Sequence, residues 1–259
     1  RPPRTRCSLA WWRRPWPGEP AGTMPRSRCC RCDGDDMNQW SGVVRDDDVD
    51  VPVTGSVDRF RGQIWGVRSD DVGIPGHPVT RDFVVHTGAV GVIALDDDDR
   101  VLLVRQYRHP VGQYLFEPPA GLLDKTTEDP LLAAQRELAE EAGFRASDWH
   151  VLVDFCNSPG GSSETFRCYL ARGLTALPEG RHLTGEAEEV DLPQAWVTLD
   201  EARAAVLAGE LQNPTTVAGV LAAWSSRQTD WDTLRPPDAP WPRRERVVSS
   251  GRSFNVGQS

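Results

Sequence analysis

Glu137, Glu140 and Glu141 fall within five positions of "RELAEEAGF" (136–144), in a stretch that reads as the body of a helix. Spacings of three and four bring helix side chains together, and like charges so placed cost roughly 0.2–0.5 kcal/mol per pair. A solvated acidic face would simply bear that cost in water. A hard divalent cation between the carboxylates would offset it and add Lewis-acid chemistry.

The element that must carry these glutamates has clear ends. Asp129 can cap a helix, Pro130 suits its first position and Gly143 suits its stop. Leu131, Ala134, Leu138 and Ala142 form an apolar stripe, and the carboxylates lie along one flank of it. Upstream, short β-rich segments predict strands near 57–60, 63–72, 80–86, 88–95 and 101–107, with "DDDD" (96–99) as a hairpin tip. "PVGQYLFEPPAG" predicts a loop and a short strand. Downstream, strands near 149–155 and 165–171 flank "CNSPGGSSE", and an acid-rich loop, "PEGRHLTGEAEEVD", leads into the strand "QAWVTL". "LDEARAAVLAGEL" and "NPTTVAGVLAAW" read as two helices. This order predicts a mixed α/β sandwich.

Composition narrows the partners. A formal net charge of −9 argues against nucleic acid or an anionic membrane surface as partner. No run approaches the roughly 18–20 apolar residues that span a bilayer. Residues 1–36 carry eight Arg against Glu19, Asp33, Asp35 and Asp36, which leaves the remainder at about −13. Residues 1–50 read as a disordered or non-native extension, with Met24 and Met37 as alternative starts, and 231–259 as a flexible tail. Cys7, Cys29, Cys30 and Cys32 lie in that extension with no second Cys or His pair at zinc spacing, so a reduced, cytoplasmic protein is expected. His86, His109 and His150 have no partner spacing and are not expected to be ligands.

Gly121, Glu128 and "RELAEEAGF" together resemble the Nudix box, G-x5-E-x7-R-E-U-x-E-E-x-G-U with U apolar. Glu128, Arg136, Glu137, Leu138, Glu140, Glu141, Gly143 and Phe144 match in register. The departure is one extra residue between Gly121 and Glu128. Pro159, sixteen positions after Gly143, "SPGGSSE" (158–164) and "QYR" before "EPPAG" narrow the resemblance to the ADP-ribose pyrophosphatase branch. It covers roughly residues 55–230, within a domain of 51–230.

That resemblance implies an α/β/α sandwich with a mixed central sheet and an N-terminal β subdomain. It also implies a homodimer formed through the strands of about 51–86, with Phe60, Ile64 and Trp65 at the interface. Mg²⁺ is the implied cofactor and Mn²⁺ a possible substitute. Glu137 and Glu141 are the first-choice ligands, Glu140 supports them, and the Ala120 carbonyl completes the set. Arg136 and Glu128 are expected to form a structural pair, with Gly121 and Gly143 as the box glycines.

The implied substrate is a small nucleotide, ADP-ribose, cleaved by water to AMP and ribose 5-phosphate. A diphosphate repels hydroxide, so cations must neutralise its oxygens and acidify a bound water. Arg108 is a candidate phosphate or ribose contact, because Arg presents a fork of donors. Glu117, Pro159, Gly160 and Glu164 are expected to line the pocket. The base falls to Glu189 or, second, Glu188, while Glu186 reads as solvated loop. Rival readings are hydrolysis of another nucleoside diphosphate derivative, such as a nucleotide sugar, and a catalytically silent sensor on the same fold. The box glutamates are all present, and the tail has too many prolines for a DNA-binding helix-turn-helix.

Overall fold

Alternation of polar and apolar residues in the first strands produces an antiparallel sheet in the order β1-β2-β3, made of β1 (Val53–Arg61), β2 (Trp65–Val72) and β3 (Val79–His86). The computed structural model describes residues 40, 42–74, 76–125, 128–181 and 192–256. In the first sheet Phe60, Ile64 and Trp65 are 54%, 46% and 40% exposed, and the Phe60 and Trp65 rings lie 5.7 Å apart.

Next come β4 (Ala89–Ala94), β5 (Arg100–Arg108), β6 (Gln113–Glu117) and β7 (Ala120–Leu122). The aspartate run does turn the chain between β4 and β5. The Asp96 carboxylate accepts from the backbone N–H groups of Asp98 and Arg100, and Asp99 takes a φ of 56°. The two strands then part into different sheets, joined only at the Leu95–Val101 bridge. The remaining strands are β8 (Phe144–Cys156), β9 (Thr165–Ala176) and β10 (Gln194–Thr198). The central sheet runs β7-β4-β9-β8, with β4 and β9 parallel and the outer pairs antiparallel; the other sheet is β10-β5-β6.

Helices cover both faces of these sheets: α1 (Pro130–Glu137), α2 (Leu199–Leu207), α3 (Pro214–Arg227) and α4 (Pro242–Ser249). Every residue of β4 is buried, and its period of two divides them between two cores. Val90, Val92 and Ala94 pack with Ala134, Leu138 and Ala142 of the box helix and its continuation. Ile93 and, just beyond the strand, Leu95 pack with Leu199, Val220 and Ala223 of α2 and α3. The result is the α/β/α sandwich with a mixed sheet.

Two local features depart from the sequence reading. The box helix is α-helical only to Glu137 and widens over Leu138–Ala142 into one π turn, before Gly143 ends it at φ 75°. Such turns are found often at functional sites. A spacing of four keeps Leu138 and Ala142 buried in either helix type, so the apolar stripe could not report the widening.

The second departure corrects the expectation of a flexible tail at 231–259. Trp241 is 6% exposed and joins the core beside the box helix, α4 follows it, and Phe254 is buried. The buried guanidinium of Arg167 explains this. It forks onto Asp154 at 2.8 and 2.9 Å, donates to the Ala239 and Pro240 carbonyls, and lies 4.7 Å from the Trp241 ring. Proline after proline prevents early helix, yet leaves backbone carbonyls that this arginine takes up.

Candidate active site

Glycine at 121 is required by a carboxylate. A Cβ there would stand 1.9 Å from Glu137 Oε1, so Glu137 can lie across β7 only because the position has no side chain. One turn on, Glu141 accepts from the Ala120 N–H at 3.0 Å. Two of the predicted ligands thus pack on one dipeptide, Ala120–Gly121. Pro119, the residue before it, is held by the Val92 N–H, which fixes the approach of β7 to the central strand.

Arg136 organises the other flank. Its Nε and one terminal nitrogen fork onto Glu128 at 3.0 Å each, and the second terminal nitrogen donates to Glu137 at 2.7 Å and Glu140 at 2.9 Å. The hydrogen-bonded guanidinium holds the Glu128 carboxyl below its ordinary range, and Arg136 is itself raised chiefly by Glu128. This cation stands against the repulsion among the glutamates. Among the described residues no three His, Cys, Asp or Glu side chains converge as a metal cage. The donors present still fit a hard divalent cation: they are oxygens only, two of them seated on the same backbone.

Arg108 and Glu117 meet across the β5–β6 hairpin. Arg108 Nε reaches both Glu117 oxygens at 2.9 and 3.2 Å, and a terminal nitrogen reaches one at 2.6 Å. The glutamate side chain is 4% exposed and the arginine 42%, so the buried carboxylate aims a half-exposed fork. Removing Arg108 would strand a buried charge. We therefore expect Arg108→Ala to lower Tm and to raise KM about 10- to 100-fold, the range of a charge-assisted hydrogen bond. Adding Glu117→Gln should recover Tm but not KM. Recovery of both in the double variant would show that Arg108 has only a structural role.

Pro159, Gly160 and Glu164 lie on the turn between β8 and β9, apart from the box glutamates in the sequence but tied into the sheet. Ser158 takes a φ of 56° and its carbonyl accepts from Gly161 and Ser162. Glu164 accepts from Asn157 Nδ2 at 2.9 Å and stands 3.8 Å from His86 Nδ1. Burial pushes the His86 imidazole below its ordinary pKa, against the opposing pull of Glu164. The Gly88 N–H donates to the same His86 nitrogen, which fits the neutral ring. Glu186, Glu188 and Glu189 lie outside the described residues.

A NUDIX domain matches residues 85–217. The chain belongs to the Nudix family. It is 44% identical over 195 residues to the ADP-ribose pyrophosphatase of Mycobacterium tuberculosis (strain ATCC 25618 / H37Rv), spanning 74% of this chain and 91% of that protein. It is 38% identical over 162 residues to the methanol dehydrogenase activator of Bacillus methanolicus, spanning 62% and 85%. A crystal structure of an ADP compounds hydrolase superposes with a TM-score of 0.55 at 23% identity, covering 71% of this chain and 98% of that one, which shows the shared fold. Nudix hydrolases act with divalent metal ions, and this Nudix chain is a pyrophosphohydrolase. No helix among the described residues is long and apolar enough to cross a membrane.

Sequence reasoning singled out neither Asn157 nor Ser163 and read His86 only as no ligand. Their neighbours come from the pairing of the 158–164 turn with β3, where Val84 donates to the Gly161 carbonyl and Ser163 N–H returns to Val84. No spacing in the chain reports that pairing.

Proposed function

We propose that this Nudix chain hydrolyses the diphosphate linkage of ADP-ribose to AMP and ribose 5-phosphate in a Mg²⁺-dependent reaction, with Mn²⁺ as a substitute. The observation that carries the reading is the seating of Glu137 and Glu141 on Ala120–Gly121 in a chain 44% identical to a protein named ADP-ribose pyrophosphatase. Glu137, Glu141 and the Ala120 carbonyl would hold the cation, with Glu140 in support. Bound there, it would neutralise phosphate oxygens and lower the pKa of a water.

The chain's own residues do the rest. Arg136, anchored on Glu128, keeps the glutamates from splaying. Arg108, aimed by Glu117, contacts the substrate phosphates. Pro159, Gly160 and Glu164 wall the pocket, and Glu189, or second Glu188, takes the proton from water. The partner is a small nucleotide. The net charge of −9 supports no nucleic-acid or membrane partner, and the unpaired Cys156 and Cys168 suit the cytoplasm.

The test is release of AMP and ribose 5-phosphate across ADP-ribose, nucleotide sugars and dinucleoside polyphosphates, with Mg²⁺ and with chelator. ADP-ribose should give the highest kcat/KM, and chelator should abolish turnover. A higher value for a nucleotide sugar would replace the substrate assignment.

The same reading includes a homodimer through the first sheet. Phe60, Ile64 and Trp65 are large apolar side chains left open to water at one end of β1 and β2, as an isologous interface needs. The wild type should sediment as a dimer, and Phe60→Ser with Trp65→Ser should sediment as a folded monomer. An unchanged dimer in that variant would place the interface elsewhere.

A further inference from the structure

The last described residues pass between the first sheet and the 158–164 turn. Phe254 is 6% exposed: a Cβ on Gly66 of β2 would stand 3.3 Å from its ring, and the Arg61 guanidinium lies 4.7 Å above it. Arg61 donates to the Asn255 carbonyl and Arg68 to the Gly251 carbonyl, each at 2.8 Å. Arg252 stands 3.9 Å from the buried Asp70 carboxylate, and the Phe254 N–H donates to the His86 carbonyl at 3.2 Å. These contacts fasten residues 251–255 to β1, β2 and β3.

One contact turns the other way. Ser163 Oγ donates to the Arg252 carbonyl at 2.7 Å and accepts from the His86 N–H at 3.0 Å, while the Ser163 N–H donates to Val84. Ser163 is therefore the node where β3, the C-terminal segment and the turn meet, and the next residue is Glu164. We infer that residues 251–255 form a strap which, through Ser163, positions the Pro159–Glu164 turn for substrate binding. Ser163 is a positioning residue, and Phe254 anchors the strap. The inference rests on the proposal that this turn lines the substrate pocket.

The strap predicts a split between KM and kcat. In the full chain, Ser163→Ala and Phe254→Ala should each raise KM for ADP-ribose about three- to tenfold, the range of one neutral hydrogen bond. Turnover should stay within about twofold, as when binding is lost equally from ground and transition states. Ser163→Thr, which keeps the hydroxyl, should restore KM. Amide exchange at Ser163 should quicken in Phe254→Ala. Unchanged KM in both Ala variants, a fall in kcat alone, or no recovery with Thr would overturn the strap. A wild type that leaves ADP-ribose intact would overturn the substrate reading instead. In that case unchanged exchange at Ser163 in Phe254→Ala would overturn the strap, and faster exchange would support it.

Discussion

Glu137→Gln and Glu141→Gln should each lower kcat by about 10²–10⁴-fold, because a bound cation stabilises transition-state charge by several kcal/mol. Both variants should remain folded. Glutamine at 141 retains an oxygen to accept the Ala120 N–H, and glutamine at 137 retains one for Arg136. Arg136 also keeps Glu128 and Glu140 as partners. Stability in chelator should therefore change little: either substitution relieves repulsion among the three glutamates, and Glu137→Gln also weakens one ion pair with Arg136. In saturating Mg²⁺ the wild type should gain Tm through binding to the folded state alone, and the variants should lose that gain. Turnover near normal, or a full Mg²⁺-induced rise in Tm, in either variant would refute the ligand assignment.

The box helix is legible in sequence because its signals are local: Asp129 caps the Leu131 N–H, Pro130 starts the helix, and Gly143 ends it in a left-handed conformation. Glu128 and Arg136 are also legible, being fixed by one short loop and two turns of helix. The central strand follows from burial on both faces of β4, which leaves a continuous apolar run. What escapes is whatever depends on register between distant segments. Asp154 and Arg167 face each other only once β8 pairs with β9, and Arg167, held by Asp154, then donates to the carbonyls of Ala239 and Pro240. The proline-rich composition of that segment speaks for a loose chain, and long-range hydrogen bonds overrule it. Arg108 and Glu117, nine positions apart, likewise meet only through the hairpin. The Glu164–His86 approach depends on the 158–164 turn lying against β3.

Glu189→Gln should lower kcat by about 10²–10⁴-fold, the contribution of a general base, with metal and substrate still binding. The box glutamates are engaged with Arg136 and the β7 backbone, so the proton from water needs another acceptor. Glu189 belongs to residues 182–191, outside the described residues, and the described residues on either side of them lie beside the box. At the leading end, a Cβ on Gly143 would stand 3.0 Å from the Arg181 backbone nitrogen, and the Leu177 N–H donates to the Gly143 carbonyl. At the trailing end, Gln194 Nε2 donates to the carbonyls of Glu141 and Ala142 at 3.2 and 3.0 Å. Arg181 joins the two ends by donating to the Leu192 carbonyl at 2.7 Å. The described residues that flank the acidic segment thus sit at the Glu141 turn, and this placement supports Glu189 as the proposed base. Gln at 189 should leave KM and the Mg²⁺-dependent gain in Tm near wild-type values. If Glu189→Gln is nearly silent while Glu188→Gln is inactive, the base is Glu188; if both are silent, neither of the two is the base.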